Sequence, residues 1–263
     1  MKKKKYLRIL SAFILCAFLT FSLLACTEPT DPEAPPSSNS GKPRVAFTFD
    51  DGPTPGVTEK ILDKLESIGG RATFFQVGNR HNFVENSVYR RISELGCEVG
   101  SHTFSHPNGF ASLSQSATRG QLEDSVEAIS SDFSGSIRLF RPVGGDSTAA
   151  QRQLAADMGL HTVCWSIDTE DWREQTNNVS KVEDFIDEKV RHILNNVEDG
   201  DIILMHELYL SSYEIFSRAA DELTERGFEL VTVSEILGLT ASTKPTSTVY
   251  RKGDPIFSED AVG

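Results

Sequence analysis

The chain has 263 residues and a formal charge of −12 at pH 7, with 26 Lys and Arg against 38 Asp and Glu. Residues 1–25 hold five of the basic side chains and no acidic one, so the remainder carries 21 basic and 38 acidic residues. This acidic excess argues against a nucleic-acid partner and against electrostatic adhesion to anionic lipid, because both require a basic surface.

The N-terminus has the pattern of an export signal, predicted over residues 1–25. Lys2–Lys5 and Arg8 form a basic segment, and an apolar run follows from Ile9 to Leu24. This run is shorter than the ~20 residues that a membrane-spanning helix needs. It ends in Leu-Ala-Cys, which resembles the lipobox of bacterial lipoproteins and implies cleavage before Cys26 with a lipid on its thiol. An ordinary secretory cleavage site beside an unrelated cysteine is the alternative.

A tether, one folded domain and a tail are predicted after the signal. Residues 26–43 are rich in proline and small polar residues and predict a semi-extended tether. Residues 44–239 carry the apolar periodicity of a folded domain. Residues 240–263 are polar and irregular, and we expect this tail to pack only in part, through Val249, Tyr250 and Phe257.

Two cysteines remain inside the predicted domain. Cys97 and Cys164 each lie in an apolar stretch. They are either buried free thiols or a disulfide, which an extracytoplasmic compartment permits.

Short apolar runs alternate with amphipathic stretches throughout the predicted domain. The predicted strands are Val45–Phe49, Ala72–Val77, Cys97–Ser101, Ile137–Phe140, His161–Ile167, Asp201–Met205 and Phe228–Val231. The predicted helices are Pro55–Ile68, Ser87–Leu95, Gln115–Phe133, Thr148–Met158, Lys181–Val197, Ser212–Arg226 and a short one near Val233 with Ser234 as N-cap. This alternation predicts an α/β fold with a parallel sheet, either an incomplete (β/α) barrel or an open doubly wound sheet.

Chemistry is expected at the carboxyl ends of these strands in either architecture. Asp50 and Asp51 follow the first strand, and His102 and His106 follow the third at i, i+4 spacing. One helical turn there would place both imidazoles on one side, as a metal site requires. Two imidazoles and a carboxylate form the ligand set of zinc hydrolases and of non-haem iron oxygenases.

Three further strand ends carry polar side chains. Arg141 follows the fourth strand, and His206 ends the sixth. The fifth strand is followed by three acidic residues, Asp168, Glu170 and Asp171. Each alone is explained by a surface charge, a solvated loop or a capped strand end. Five such strand ends, after the first, third, fourth, fifth and sixth predicted strands, predict a shared active site.

These segments resemble the motifs of the polysaccharide deacetylase family with the NodB homology domain, carbohydrate esterase family 4. TFDDGP, SHTFSHP, FRPVGG, DTEDW and ILMH occur in the family's order between Val45 and Val233. The resemblance implies an incomplete (β/α) barrel of about seven parallel strands. It also disfavours the iron oxygenase, which gives no role to Asp50, Arg141 or His206.

The resemblance implies different roles for the two adjacent aspartates. Asp51, His102 and His106 would hold a divalent metal, with Zn²⁺ expected first and Co²⁺ or another first-row ion as alternatives. Asp50 would be the general base toward the attacking water, and Arg141 would hold it in place and favour its ionised form.

The resemblance also assigns the leaving-group side. His206 would protonate the departing amine, with Asp171 raising its pKa and fixing its tautomer. Leu204 and Trp172 would border the acetyl pocket. The family's third motif reads Pro-Pro-Tyr-Gly where this chain has PVGG, so the backbone N–H of Gly144 would serve the oxyanion while the aromatic wall is lost.

The resemblance therefore implies a metal-dependent hydrolase that removes N-acetyl groups from cell-wall or related polysaccharide containing N-acetylglucosamine, releasing acetate. It is expected to be a monomer outside the cytoplasm, attached to the membrane through the lipid on Cys26, with no nucleic-acid partner. An O-acetyl esterase of the xylan type and a small-amide hydrolase are the alternatives that keep the same chemistry. A non-catalytic glycan-binding lipoprotein is the alternative suggested by the altered third motif.

Overall fold

The computed structural model describes residues 41–253. The predicted signal peptide, Cys26 and most of the tether lie outside these residues, as does the end of the tail with Phe257. No helix within residues 41–253 combines the length and the apolar character needed to cross a membrane.

Nine strands and seven α-helices follow one another along residues 41–253, joined by loops and short 3₁₀ turns. The strands are β1 Arg44–Asp50, β2 Thr73–Gln76, β3 Glu98–Ser101, β4 Leu139–Phe140, β5 His161–Val163, β6 Ile167–Asp168, β7 Asp201–His206, β8 Glu229–Leu230 and β9 Val249–Tyr250. The helices are α1 Thr58–Ile68, α2 Asn86–Glu94, α3 Gln115–Ser130, α4 Ala149–Asp157, α5 Glu183–Asn196, α6 Leu210–Glu225 and α7 Val233–Leu237.

The strands form one curled parallel sheet, which confirms the predicted incomplete (β/α) barrel. Its order is β6-β7-β1-β2-β3-β4-β5-β9, and β8 pairs with the start of β1. Asp50 at the end of β1 is in register with His206 of β7 and with Phe75 of β2. The carboxyl ends of these strands therefore meet at one edge, where a parallel α/β sheet carries its ligands.

The predicted fifth strand, His161–Ile167, is two short strands with different neighbours. β5 pairs with β4 near one end of the sheet, whereas β6 pairs with β7 at the other end. The gap between these two ends of the sheet is the opening of the incomplete barrel. The segment predicted as a polar tail reaches this opening, because β9 pairs with β5 and Lys252 forms an antiparallel bridge to Asp201. The described part of the tail thus lies against the sheet, through Val249 and Tyr250.

Alternating side chains of β1 divide the apolar interior into two layers. Val45, Phe47 and Phe49 face the layer between sheet and helices, whereas Ala46 lies in a smaller cluster inside the curl of the sheet. Phe216 of α6 packs edge-on against Phe47 and Phe49, with ring centroids 5.1 and 5.0 Å apart. Removing one such buried ring costs roughly 3–5 kcal/mol, so this packing fixes β1 firmly beneath the residues that end it.

Cys97 and Cys164 are both buried and free, so the disulfide alternative is wrong. The N-cap predicted at Ser234 is also wrong. Thr232 caps α7, in a capping box with Glu235, and the Ser234 hydroxyl instead donates to Glu98 in β3.

Candidate active site

Asp51, His102 and His106 converge at the carboxyl end of the sheet. Asp51 Oδ1 lies 3.2 Å from His106 Nε2 and 3.5 Å from His102 Nε2. Within residues 41–253 this is the one group of three such side chains whose ligand atoms all lie within 4.8 Å of one another. Asp51 Oδ1 is buried and has no hydrogen-bond partner, which is costly unless a cation binds there. The donor set therefore fits a divalent metal ion.

The nitrogen that each histidine offers follows from its surroundings. His102 Nδ1 donates to the carbonyl of Arg141 at 2.8 Å, so the lone pair of Nε2 faces Asp51. Burial lowers the pKa of His106, an effect that the charge of Asp51 opposes and that His102 reinforces. His106 is therefore neutral near pH 7, which is the form that binds metal.

The two histidines are not brought together by the helical turn that their spacing predicts. His102 follows β3, and the chain then turns through left-handed conformations at Thr103, with φ 67°, and at His106, with φ 52°. Thr103 Oγ1 accepts from the His106 N–H at 3.1 Å and closes this turn. Asp51 is also left-handed, with φ 72°. Such strain in side-chain-bearing residues persists only where surrounding contacts hold it.

Arg141 is completely buried beneath the site, and acceptors surround its guanidinium. It donates to Asp50 Oδ1 at 2.8 Å and to the carbonyls of Val163 and Cys164 at 3.3 and 3.0 Å. Its guanidinium also lies 4.1 Å from the centre of the Phe75 ring. A fully desolvated Arg–Asp pair with all these partners has one geometry, so Asp50 is held in place.

Asp50 keeps one carboxylate oxygen toward the histidines. Its Oδ2 lies 3.7 Å from His102 Nε2, while Arg141 holds Oδ1. Thr48, which the sequence analysis did not single out, also accepts from Arg141 Nη1 at 2.7 Å. Period-two alternation places Thr48 on the same face of β1 as Asp50, and this signal was available in the sequence.

His206 is paired with Asp171 across the site edge. Its Nδ1 lies 2.8 Å from Asp171 Oδ1, and its backbone N–H donates to Asp171 Oδ2 at 2.9 Å. Burial by itself lowers the pKa of His206, but the charge and hydrogen bond of Asp171, with smaller contributions from Asp50 and Asp51, raise it to about 9. His206 is therefore a protonated donor at neutral pH, with a fixed ring orientation.

The remaining predicted site residues lie in or after strands that end at this edge of the sheet, Leu204 in β7, Trp172 after β6 and Gly144 after β4. Leu204 is buried two residues before His206, on the same side of β7. Trp172 is 47% exposed, with the Arg173 guanidinium 5.1 Å from its ring centre, so it is a surface residue rather than a core tryptophan. Gly144 has φ 65°, and a Cβ added there would meet no atom within 4 Å. The loop is open at the position where the family has a tyrosine.

Known proteins are similar to this chain in sequence and in structure. Residues 37–163 match the family model described as polysaccharide deacetylase. The peptidoglycan-N-acetylmuramic acid deacetylase PdaC of Bacillus subtilis is 34% identical over 193 residues, which cover 73% of this chain and 38% of PdaC. A peptidoglycan-N-acetylglucosamine deacetylase of Bacillus cereus is 32% identical over 203 residues, covering 73% of this chain and 87% of that protein.

The fold is similar as well. The solved structure of PdaC from Bacillus subtilis has a TM-score of 0.65 and 32% identity, over 74% of this chain and 89% of that one. This chain spans about two fifths of the full length of PdaC.

Proposed function

The chain belongs to the polysaccharide deacetylase family, and we propose that it hydrolyses the N-acetyl groups of N-acetylglucosamine residues in peptidoglycan, using a divalent metal ion. The observation that carries this proposal is the separation of roles between two adjacent carboxylates. Asp51 Oδ1 is unpartnered and faces two imidazoles, whereas Arg141 fixes Asp50 with one oxygen left free. Asp51 is thus suited to bind a metal ion, and Asp50 is suited to accept a proton.

Asp51, His102 and His106 would hold the metal, with zinc as the ion that suits two imidazoles and a carboxylate. When bound, such an ion supplies Lewis-acid polarisation of the acetyl carbonyl and of water. Asp50 Oδ2 takes a proton from the attacking water as the water oxygen bonds to the carbonyl carbon. Arg141 holds the Asp50 carboxyl group in position before and after it takes the proton, because the pair is buried and hydrogen-bonded.

The second half of the reaction breaks the bond between the carbonyl carbon and the sugar nitrogen. His206 donates its proton to that nitrogen as it leaves, and Asp171 holds the resulting neutral ring in orientation. The backbone N–H of Gly144 donates to the carbonyl oxygen while it carries negative charge. The products are acetate and a free amine on the sugar.

The substrate and the location are proposals supported by similarity and by the sequence ends. The relatives from Bacillus subtilis and Bacillus cereus are both named as peptidoglycan deacetylases. The basic and apolar N-terminal segment, with Cys26 at its end, supports export and attachment through lipid. Radiolabelled palmitate incorporated by the wild type and not by a Cys26→Ser variant would support the lipid anchor.

The test is acetate release by the full chain, stripped of metal with a chelator and then resupplied with Zn²⁺. Peptidoglycan, chitin oligomers and acetylated xylan are offered in parallel, and mass spectrometry identifies which sugar lost its acetyl group. We expect zinc-dependent release from peptidoglycan, with a free amine on N-acetylglucosamine residues. Release from xylan alone would favour the O-acetyl esterase. Zinc binding without release from any substrate would favour the glycan-binding protein.

A further inference from the structure

Glu207 follows the proposed general acid in the chain but points to the other side of the sheet. It is completely buried, and its backbone N–H donates to the Asp50 carbonyl at 3.1 Å, which extends the β1–β7 pairing by one residue. Since successive side chains of a strand alternate, the Glu207 side chain lies on the side opposite to His206. There it meets the loop that follows β1.

The Glu207 carboxyl is bonded into this loop. Thr58 Oγ1, at the start of α1, donates to Glu207 Oε2 at 2.5 Å. The same hydroxyl accepts from the backbone N–H of Thr54 at 2.9 Å. These two hydrogen bonds connect the end of β7 to both ends of the turn that follows Asp51 and Gly52.

Gly52 leaves the space that the carboxyl occupies. A Cβ added at Gly52 would lie 1.7 Å from Glu207 Oε1 and 2.0 Å from Glu207 Cδ. The φ of Gly52 lies outside the left-handed region, so this φ does not itself require glycine. The requirement for glycine at this position therefore comes from contact with Glu207.

The charge state of Glu207 suits its location. Burial raises the pKa of its carboxyl to about 8, with Asp50 and Asp51 adding to the rise while Thr58 and Arg80 oppose it. Glu207 is thus mainly neutral near pH 7 and adds no third negative charge behind the two aspartates. Its amide isostere should make the same contacts.

We propose that Glu207 is a positioning residue for the metal-binding carboxylate, holding the Asp51 loop in place through its contact with Gly52 and its hydrogen bond to Thr58. The inference rests on the proposed function, since that function assigns Asp51 to the metal. Asp51 is left-handed, a conformation that a residue with a side chain keeps only when neighbouring contacts impose it. Glu207 supplies such contacts one residue beyond Asp51.

The test measures binding of Zn²⁺ alone to the full chain, by calorimetry after chelation, together with the midpoint of thermal unfolding. Glu207→Ala should bind zinc about 10- to 100-fold more weakly, the loss typical when a group that orients a ligand is removed. Glu207→Gln should recover affinity to within about threefold of the wild type, because its amide oxygen still accepts from Thr58.

The Gly52–Glu207 contact is tested by a double-mutant cycle. Gly52→Ala alone should weaken zinc binding, because the new methyl group displaces the loop or the carboxyl. Adding Gly52→Ala to Glu207→Ala should cost less than it costs alone, since the carboxyl that it would meet is gone. Additive losses would overturn the inference. If Glu207→Ala does not fold, unchanged zinc affinity in Gly52→Ala would overturn the inference.

Glu98 provides a matched control at the amino end of the strands. Its carboxyl group accepts from Thr73 and Ser234, at the end of β3 opposite to the one that His102 follows. Glu98→Ala should lower the unfolding midpoint and leave zinc affinity unchanged. If Glu207→Ala binds zinc with the same affinity as the wild type, the inference is overturned and the proposed function is unaffected. Failure of the wild type to bind zinc would overturn the proposed function and the inference with it.

Discussion

Asp50 and Asp51 are adjacent in the chain and lie 3.7 and 3.5 Å from the same atom, His102 Nε2, yet each carboxylate also has a partner of its own. Arg141 donates to Asp50 Oδ1 at 2.8 Å, whereas Asp51 Oδ1 lies 3.2 Å from His106 Nε2 and has no hydrogen-bond donor. Asp50 is the last residue of the extended strand β1, whereas Asp51 adopts φ 72°, so the backbone changes direction between them. Arg141 thereby offsets the negative charge of Asp50, and the negative charge of Asp51 is left for a bound metal ion to offset.

Substituting these two aspartates should have separable effects. Asp50→Asn should lower kcat by about 10²–10⁴-fold, because a general base is lost, while zinc still binds. Asp51→Asn should weaken zinc binding itself, so that its activity is restored in part by high zinc concentrations. Steady-state acetate release and zinc calorimetry check both variants. Loss of zinc binding in Asp50→Asn would contradict the separation of roles.

Arg141 should be irreplaceable by lysine. Arg141→Lys removes the planar guanidinium group, which donates to Asp50, Thr48 and two backbone carbonyls at once. Some of these buried acceptors then lack a hydrogen-bond donor. We expect the free energy of unfolding to fall by about 3–5 kcal/mol and kcat by at least about 100-fold. Denaturant unfolding and kinetics measure the two effects. A lysine variant with wild-type stability would show that the buried network contributes little.

The alkaline limb of the pH profile should depend on Asp171. His206 must be protonated to donate, and its pKa of about 9 keeps it so until the pH rises through that value. Asp171→Asn removes the negative charge that raises the pKa of His206, while burial still lowers that pKa. The alkaline limb of the pH profile should therefore move to lower pH. The profile of kcat/KM reports this shift in the free enzyme. An unmoved limb would mean that another group titrates there.

Glu207 should make the protein less stable as the pH rises. Its folded pKa of about 8 lies above the ordinary value of 4.5, so the folded chain binds more protons than the unfolded chain between these two values. Stability therefore falls with increasing pH in this window, by up to about 5 kcal/mol for this one group. Glu207→Gln lacks this dependence, so its stability relative to the wild type should grow from pH 5 to pH 8. Denaturant unfolding at both pH values checks the difference.

Local, repeating patterns predicted the parallel α/β sheet and the polar strand ends, whereas the choice of the incomplete barrel over an open sheet came from the resemblance to the polysaccharide deacetylase family. The apolar run predicted β1, with Asp50 following it, but the placement of Thr48 beside Arg141 was not predicted. The i, i+4 spacing of His102 and His106 correctly indicated proximity but suggested the wrong backbone, since a left-handed turn produces the same proximity. Threonine at position 103 does not signal a positive φ, and the enrichment of histidine at positive φ does not identify His106 in particular.

Other features depend on contacts between distant parts of the chain. Nothing in the sequence from His161 to Ile167 indicates where the chain stops pairing with β4 and begins to pair with β7. Both neighbouring strands accept the same apolar residues. In the sequence, Glu207 has the pattern of a surface charge that follows a strand. Only the structure shows that its side chain is enclosed by Gly52 and Thr58. Burial of a carboxyl is a property of its tertiary neighbours and has no local signature.

The strand formed by Val249 and Tyr250 has a consequence for handling the protein. It covers the outer side of β5, which would otherwise present unpaired backbone groups at the edge of the sheet. Exposed sheet edges are templates for pairing between chains. A version cut after Leu239 should therefore self-associate and precipitate on expression, whereas one that extends through Gly253 should remain dispersed.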